Sequence, residues 1–134
     1  WLELEKIPKI QRLKVPPQKF DFLTQEESQL LLRHAKGVWH EMILVALRTG
    51  LRFGELRALD WSDINWETKI LTVRRSLCCN VMGPPKSNKE RHIPLTHEVR
   101  QALSRRRQIK GLVFVDVNGE LFSQMRFYRE LRAI

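Results

Sequence analysis

The apolar pattern of this chain changes from helical to alternating near residue 65, and that change decides what it can fold into. Up to Leu59 the apolar residues recur at helical spacing. Thr24, with Glu27 three places on, forms a capping box, and Leu30, Leu31 and Ala35 supply an apolar face behind it, so a helix is expected over about 24–36. Ile43, Leu44 and Leu47 line one side of a second helix from Trp39 to Arg48, which stops at Thr49-Gly50, where Gly50 can take the left-handed cap. A third, short helix is expected from about Phe53 to Leu59. After a polar turn at Asp60 to Asn65 the residues become β-branched and alternating. Ile70–Val73, Leu77–Met82 and His92–Leu95 read as three strands, with Gly83-Pro84-Pro85 and a basic loop between the last two. Thr96 can cap a helix to about Gln108, Leu112–Val115 is a short extended piece, Asn118-Gly119 marks a turn, and Ser123 caps a last helix. The expected class is α+β: mainly helical, with a small three-stranded antiparallel sheet.

A chain of 134 residues has room for one core. Residues 1–19 hold Pro8, Pro16 and Pro17 among five basic residues and show no sustained periodicity, so they read as a linker arriving from a preceding domain, with the folded part at 20–134. The chain opens at Trp1 and closes at Ile134 inside an apolar helical pattern with no stop signal, which makes it the expected piece of a longer protein. Its longest apolar run, Met42–Leu47, is far below the ~20 residues of a membrane span, so a membrane partner is not expected. Cys78 and Cys79 are adjacent, a spacing that strains a mutual disulfide and offers no metal framework, and the four histidines join no ligand pattern. A reduced, intracellular setting without a bound metal is expected.

Charge narrows the function further. Lys and Arg number 24 against 15 Asp and Glu, a formal net charge of +9. The excess is local: from Arg74 to Lys110 ten basic residues face two acidic ones. An acidic partner, most often nucleic acid, suits such a stretch, and a solvated basic face without a specific partner is the alternative.

Two segments can carry chemistry. Thr49-Gly50-Leu51-Arg52-Phe53-Gly54-Glu55-Leu56 puts Arg52 at the mouth of a helix N-terminus just past a tight turn, a place where backbone amides and a guanidinium fork suit a phosphate. Glu55 is three residues on and can hold the fork, although the same spacing also describes an ordinary Arg-Glu pair. The tip Gly83-Pro84-Pro85-Lys86-Ser87-Asn88-Lys89-Glu90-Arg91 can reach a DNA groove, where a lysine neutralises a phosphate or gives a proton to a departing oxygen; equally, it can be a soluble edge.

In this order the two segments, TGLRFGELRALDWSDINWETK and then PPKSNKERHIPLT after intervening strands, closely resemble the first half of the catalytic domain of tyrosine recombinases, the phage-integrase family. The resemblance runs from about Phe20 to Ile134. It implies a truncated tyrosine-recombinase catalytic fold in which Arg52 matches the family's first catalytic arginine, Glu55 the acidic residue after it, and Lys86 the hairpin lysine. Lys89, Arg91, Arg74 and Arg75 are then expected as contacts to the DNA backbone. The implied chemistry is transesterification through a 3′-phosphotyrosine, with double-stranded DNA as partner, no cofactor, no small-molecule substrate and a tetramer of protomers on paired DNA sites. The implied setting is the bacterial cytoplasm, at the nucleoid.

The family's later His-x-x-Arg box and nucleophilic tyrosine have no match here, so no nucleophile is assigned in this chain and the piece alone is expected to bind DNA weakly and to be inactive. His97-Glu98-Val99-Arg100 has the right form, and Tyr128 is the one tyrosine, but His97 follows Lys86 by only eleven residues and no His or Trp lies between it and Tyr128. His97 reads instead as a surface residue at a helix start and Tyr128 as a packing residue beside Phe127. Trp61 and Ile64 read as core anchors, and Arg105-Arg106-Arg107 as a helix end that complements the dipole. Two rivals stay open: a non-enzymatic DNA-binding module of the same fold, and a type IB topoisomerase-like enzyme.

Overall fold

The computed structural model describes residues 22–86 and 89–134, so the linker reading of 1–19 lies outside the described residues, as do Ser87 and Asn88 of the basic loop. The elements in chain order are α1 (Gln25–His34), α2 (Gly37–Thr49), α3 (Phe53–Arg57), a 3₁₀ turn (Trp61–Asp63), β1 (Ile64–Asn65), β2 (Ile70–Val73), β3 (Ser76–Cys78), β4 (Val81–Gly83), β5 (Arg91–Pro94), α4 (His97–Ser104) and α5 (Gln124–Ala133). Among these residues no helix is long and apolar enough to cross a membrane.

Local signals set the helix ends. The Glu27 amide donates to Thr24 Oγ1 at 3.1 Å and the Thr24 amide to Glu27 Oε2 at 2.8 Å, the reciprocal pair that starts α1. Gly50 closes α2 at φ 66°, its amide donating to Ala46 O at 2.9 Å, and Ser123 starts α5 by accepting from the Arg126 amide. Helix α4 stops at Ser104, short of the expected Gln108. Past its end the arginines turn to other elements: Arg106 pairs with Glu41 of α2 at 2.7 Å and Arg107 lies over the Trp66 ring at 4.6 Å.

The three-stranded antiparallel sheet has the order β1-β2-β5, with Leu71 opposite both Ile64 and Ile93, and Val73 opposite Arg91. Its composition differs from the expectation in two ways. Strand β1 comes out of the segment read as a polar turn. The segment Leu77–Met82, read as one strand, is instead folded on itself as the separate β3–β4 hairpin, with Leu77 opposite Met82. Cys79 and Asn80 make that fold at φ 48° and 61°, a two-residue turn of primed geometry that contains no glycine to announce it. The thiols of Cys78 and Cys79 are free, 3.9 Å apart.

One main core gathers Met42 and Val45 of α2, Leu56 of α3, Trp61, Ile64, Leu71 and Val73 of the sheet region, Val99 and Leu103 of α4, and Val113, Phe114 and Phe122. Trp61 and Ile64 are thus core residues, at 4% and 5% exposure. A smaller cluster of Leu32, Ala35, Ile43, Leu44 and Ala102 joins α1, α2 and α4.

The β3–β4 hairpin rests on α3 through Gly54. A Cβ built there would lie 2.6 Å from the Leu77 carbonyl oxygen and 2.8 Å from Ser76 Oγ, so only glycine permits this approach. From the other end of α3, Arg57 donates to Asn80 Oδ1 in the hairpin turn at 3.1 Å. Gly54→Ala is therefore expected to push β3 off the helix and destabilise the chain by about 2 kcal/mol. Urea unfolding reads the loss, and faster amide exchange at Leu77 and Met82 than in the rest of the molecule reads its location.

Candidate active site

Arg52 is the residue before α3, with extended backbone (φ −69°, ψ 154°) just after the left-handed Gly50. That turn brings α2 to an end and starts α3 within three residues, which carries the Arg52 side chain to the surface at the helix mouth. The side chain is 59% exposed. Its amide donates to Glu55 Oε2 at 2.9 Å, and its guanidinium Nη1 to Glu55 Oε1 at 3.3 Å. The second of these is long for a charge-assisted bond, so most of the guanidinium's donors face solvent.

Glu55 is the opposite case. Its side chain is 1% exposed, and a buried carboxylate survives only with its acceptor sites filled. Arg91 of β5 fills them with a two-pronged fork, Nη1 to Oε1 at 3.1 Å and Nη2 to Oε2 at 2.8 Å. Burial pushes the Glu55 carboxyl up, but the Arg91 hydrogen bonds, the Arg52 amide, the Arg91 charge and the Arg52 guanidinium together outweigh it. The carboxyl is held below the ordinary glutamate value.

A second carboxylate, Asp63, is buried as well. Asp63, 2% exposed at its side chain, takes Arg75 Nη2 at 2.6 Å and faces Arg74 Nη1 at 3.8 Å, while Arg74 Nε is 3.8 Å from Glu90. Arg74, Arg75 and Arg91, all expected at the DNA backbone, therefore each have a carboxylate partner inside the protein. Their pairs fasten the sheet to α3 and to the turn after it. Asp63 lies between the core residues Trp61 and Ile64, and a carboxylate flanked by two core anchors is the sequence signal that could have marked it as a buried counterion.

Lys86 is exposed on the loop after β4, next to the buried Pro85, and Lys89 is exposed on the same loop. The loop ends at Arg91, which the pairing of β5 with β2 holds at a fixed register. The structure thus brings Arg52, Glu55 and the base of the Lys86 loop together through Arg91. Tyr128 is half-exposed on α5, its ring 6.4 Å from that of Phe53 and its hydroxyl accepting from Gln124 at 3.2 Å. Phe127 beside it stacks on Phe53 at 4.7 Å. His97 is the exposed first residue of α4, whose cap is Thr96.

Known proteins share both the sequence and the fold. The phage integrase family model matches residues 21–134. The prophage integrase IntR of Escherichia coli (strain K12) is 35% identical over 109 residues, 80% of this chain and 26% of that protein. The transposase from transposon Tn916 of Enterococcus faecalis is 29% identical over 94 residues, 62% of this chain and 23% of that protein. The chain thus spans about a quarter of the length of these curated relatives. Among solved structures, the Tn1549 transposon integrase in complex with a circular intermediate DNA has a TM-score of 0.75 at 23% identity, over 90% of this chain and 47% of that one. XerA recombinase has a TM-score of 0.64 at 23% identity over 84% and 41% of the two chains. With the Arg52 motif, the hairpin loop and the shared fold all in place, the chain belongs to the phage integrase family.

Proposed function

We propose that this chain is the first part of the catalytic domain of a site-specific tyrosine recombinase, which cleaves and rejoins duplex DNA. The single observation that carries the reading is Arg52: an exposed guanidinium at a helix mouth, held at its base by a buried carboxylate, within a chain of this family. Its free donors suit the non-bridging oxygens of a phosphodiester, which gain charge as the phosphorus becomes pentavalent.

In this reading a tyrosine supplied from outside the chain attacks the scissile phosphate, its phenol proton passing to a base that likewise lies outside this chain. The bond to the 5′-oxygen breaks as the phosphotyrosine bond forms, and Lys86 gives its proton to the departing 5′-oxygen. The 5′-hydroxyl of a partner strand later attacks the phosphotyrosine, restoring the phosphodiester and releasing the tyrosine. Glu55 holds Arg52, while Lys89, Arg74 and Arg75 keep charge near the DNA backbone. Recombination on paired sites calls for a tetramer of protomers, acting without a small-molecule substrate in the bacterial cytoplasm at the nucleoid.

The test is a binding and trapping experiment on the 134-residue chain. Duplex DNA is expected to bind weakly, with affinity falling roughly ten- to a hundredfold between about 50 and 200 mM salt, and to leave no protein-DNA band that survives SDS. A surviving covalent band would place the nucleophile inside this chain, at Tyr128. Salt-independent binding would remove the phosphate backbone as the ligand.

A further inference from the structure

The Glu55 carboxylate receives four hydrogen bonds, two from Arg52 and two from Arg91, so both of its oxygens are fully used. The division between the arginines is unequal. Arg91 gives two of its guanidinium nitrogens in a fork at 3.1 and 2.8 Å, from a side chain that β5 holds in register. Arg52 gives one long guanidinium bond and keeps a side chain 59% exposed. Two positive groups around one negative one leave a single net charge, and it sits on the exposed partner. An isolated Arg and Glu at this spacing would close on each other, since nothing else satisfies a buried carboxylate.

We propose that Arg91 is a positioning residue. By occupying both Glu55 oxygens it keeps the Arg52 guanidinium from being drawn into the carboxylate and leaves it available to a DNA phosphate. Arg91 also closes the loop that carries Lys86, so the same fork fixes the far end of that loop to the helix that presents Arg52. The inference rests on the reading of Arg52 as a phosphate ligand, and it removes Arg91 from the surface that meets DNA.

The experiment uses the 134-residue chain labelled with nitrogen-15, a short mixed-sequence duplex at low salt, and the side-chain Nε–H resonance of Arg52, with folding of every variant checked by circular dichroism. Arg91→Met is expected to weaken duplex binding roughly fivefold, as much as Arg52→Ala does, and to make the Arg52 resonance insensitive to DNA. Adding Glu55→Gln to Arg91→Met should restore the response of Arg52 and bring affinity within about twofold of Glu55→Gln alone. Equal losses from Arg91→Met in the wild-type and Glu55→Gln backgrounds would mean that Arg91 meets DNA directly, and would overturn the inference. So would an Arg52 resonance that still responds to DNA in Arg91→Met. If Arg91→Met fails to fold, the comparison of Glu55→Gln with the double variant decides, since a loss well beyond twofold there refutes the proposal. Should Arg52→Ala leave affinity unchanged, the reading of Arg52 itself fails, whatever Arg91 does.

Discussion

Replacing Arg52 by Ala in a full-length integrase that carries this chain is expected to slow strand cleavage by about 10²–10³-fold while weakening duplex binding less than about tenfold. The two effects separate because of where Arg52 sits. In the proposed mechanism its guanidinium is, in the ground state, one of several cations near the backbone, so its loss lowers affinity modestly. In the transition state charge gathers on the non-bridging oxygens, and a donor already fixed by the Gly50 turn and by Glu55 needs no reorganisation to meet it. Arg52→Lys should fall between the two, since an ammonium keeps the charge but not the planar fork. A substrate with a nick that traps the covalent intermediate measures cleavage, and gel shift measures binding. A loss confined to binding would favour a module that holds DNA without cutting it. Plasmid relaxation without a second recombination site would point to the topoisomerase-like alternative.

What the sequence made legible follows the range over which each feature acts. The Thr24–Glu27 box, the Gly50 stop and the Ser123 cap are complete within five residues, and each appears where the sequence placed it. Arg52 was legible for the same reason: the turn, the helix start and Glu55 all lie within six residues. The β3–β4 hairpin was not, because Cys79 and Asn80 adopt left-handed geometry without glycine, and what stabilises them is the distant pair of Arg57 with Asn80 and the close approach at Gly54. The fork of Arg91 on Glu55 joins residues 36 apart in sequence, beyond the reach of any local spacing rule. Composition showed a strongly basic stretch but not that three of its arginines answer buried carboxylates. Net charge therefore did not show which of these cations are already paired within the protein.

Glu55→Ala is expected to destabilise the chain by about 3 kcal/mol, more than most surface changes, because it strands donors on two elements at once. The Arg52 amide, Arg52 Nη1 and both Arg91 ω-nitrogens lose their acceptor, and Arg91 is only 32% exposed, so water replaces the carboxylate incompletely. The same carboxylate sets a pH dependence whose sign follows from its depressed pKa. In the unfolded chain Glu55 titrates near the ordinary value of about 4.3, and in the folded chain it titrates lower. Its contribution is thus fully present above about pH 5 and is lost as the pH falls through the folded value. The difference in urea midpoint between wild type and Glu55→Ala should hold steady from pH 7 to about 5 and shrink below about 4. A difference that persisted unchanged to about pH 3 would mean that Glu55 acts by packing alone. The charge of Glu55 would then have no part in holding Arg52 at the mouth of α3.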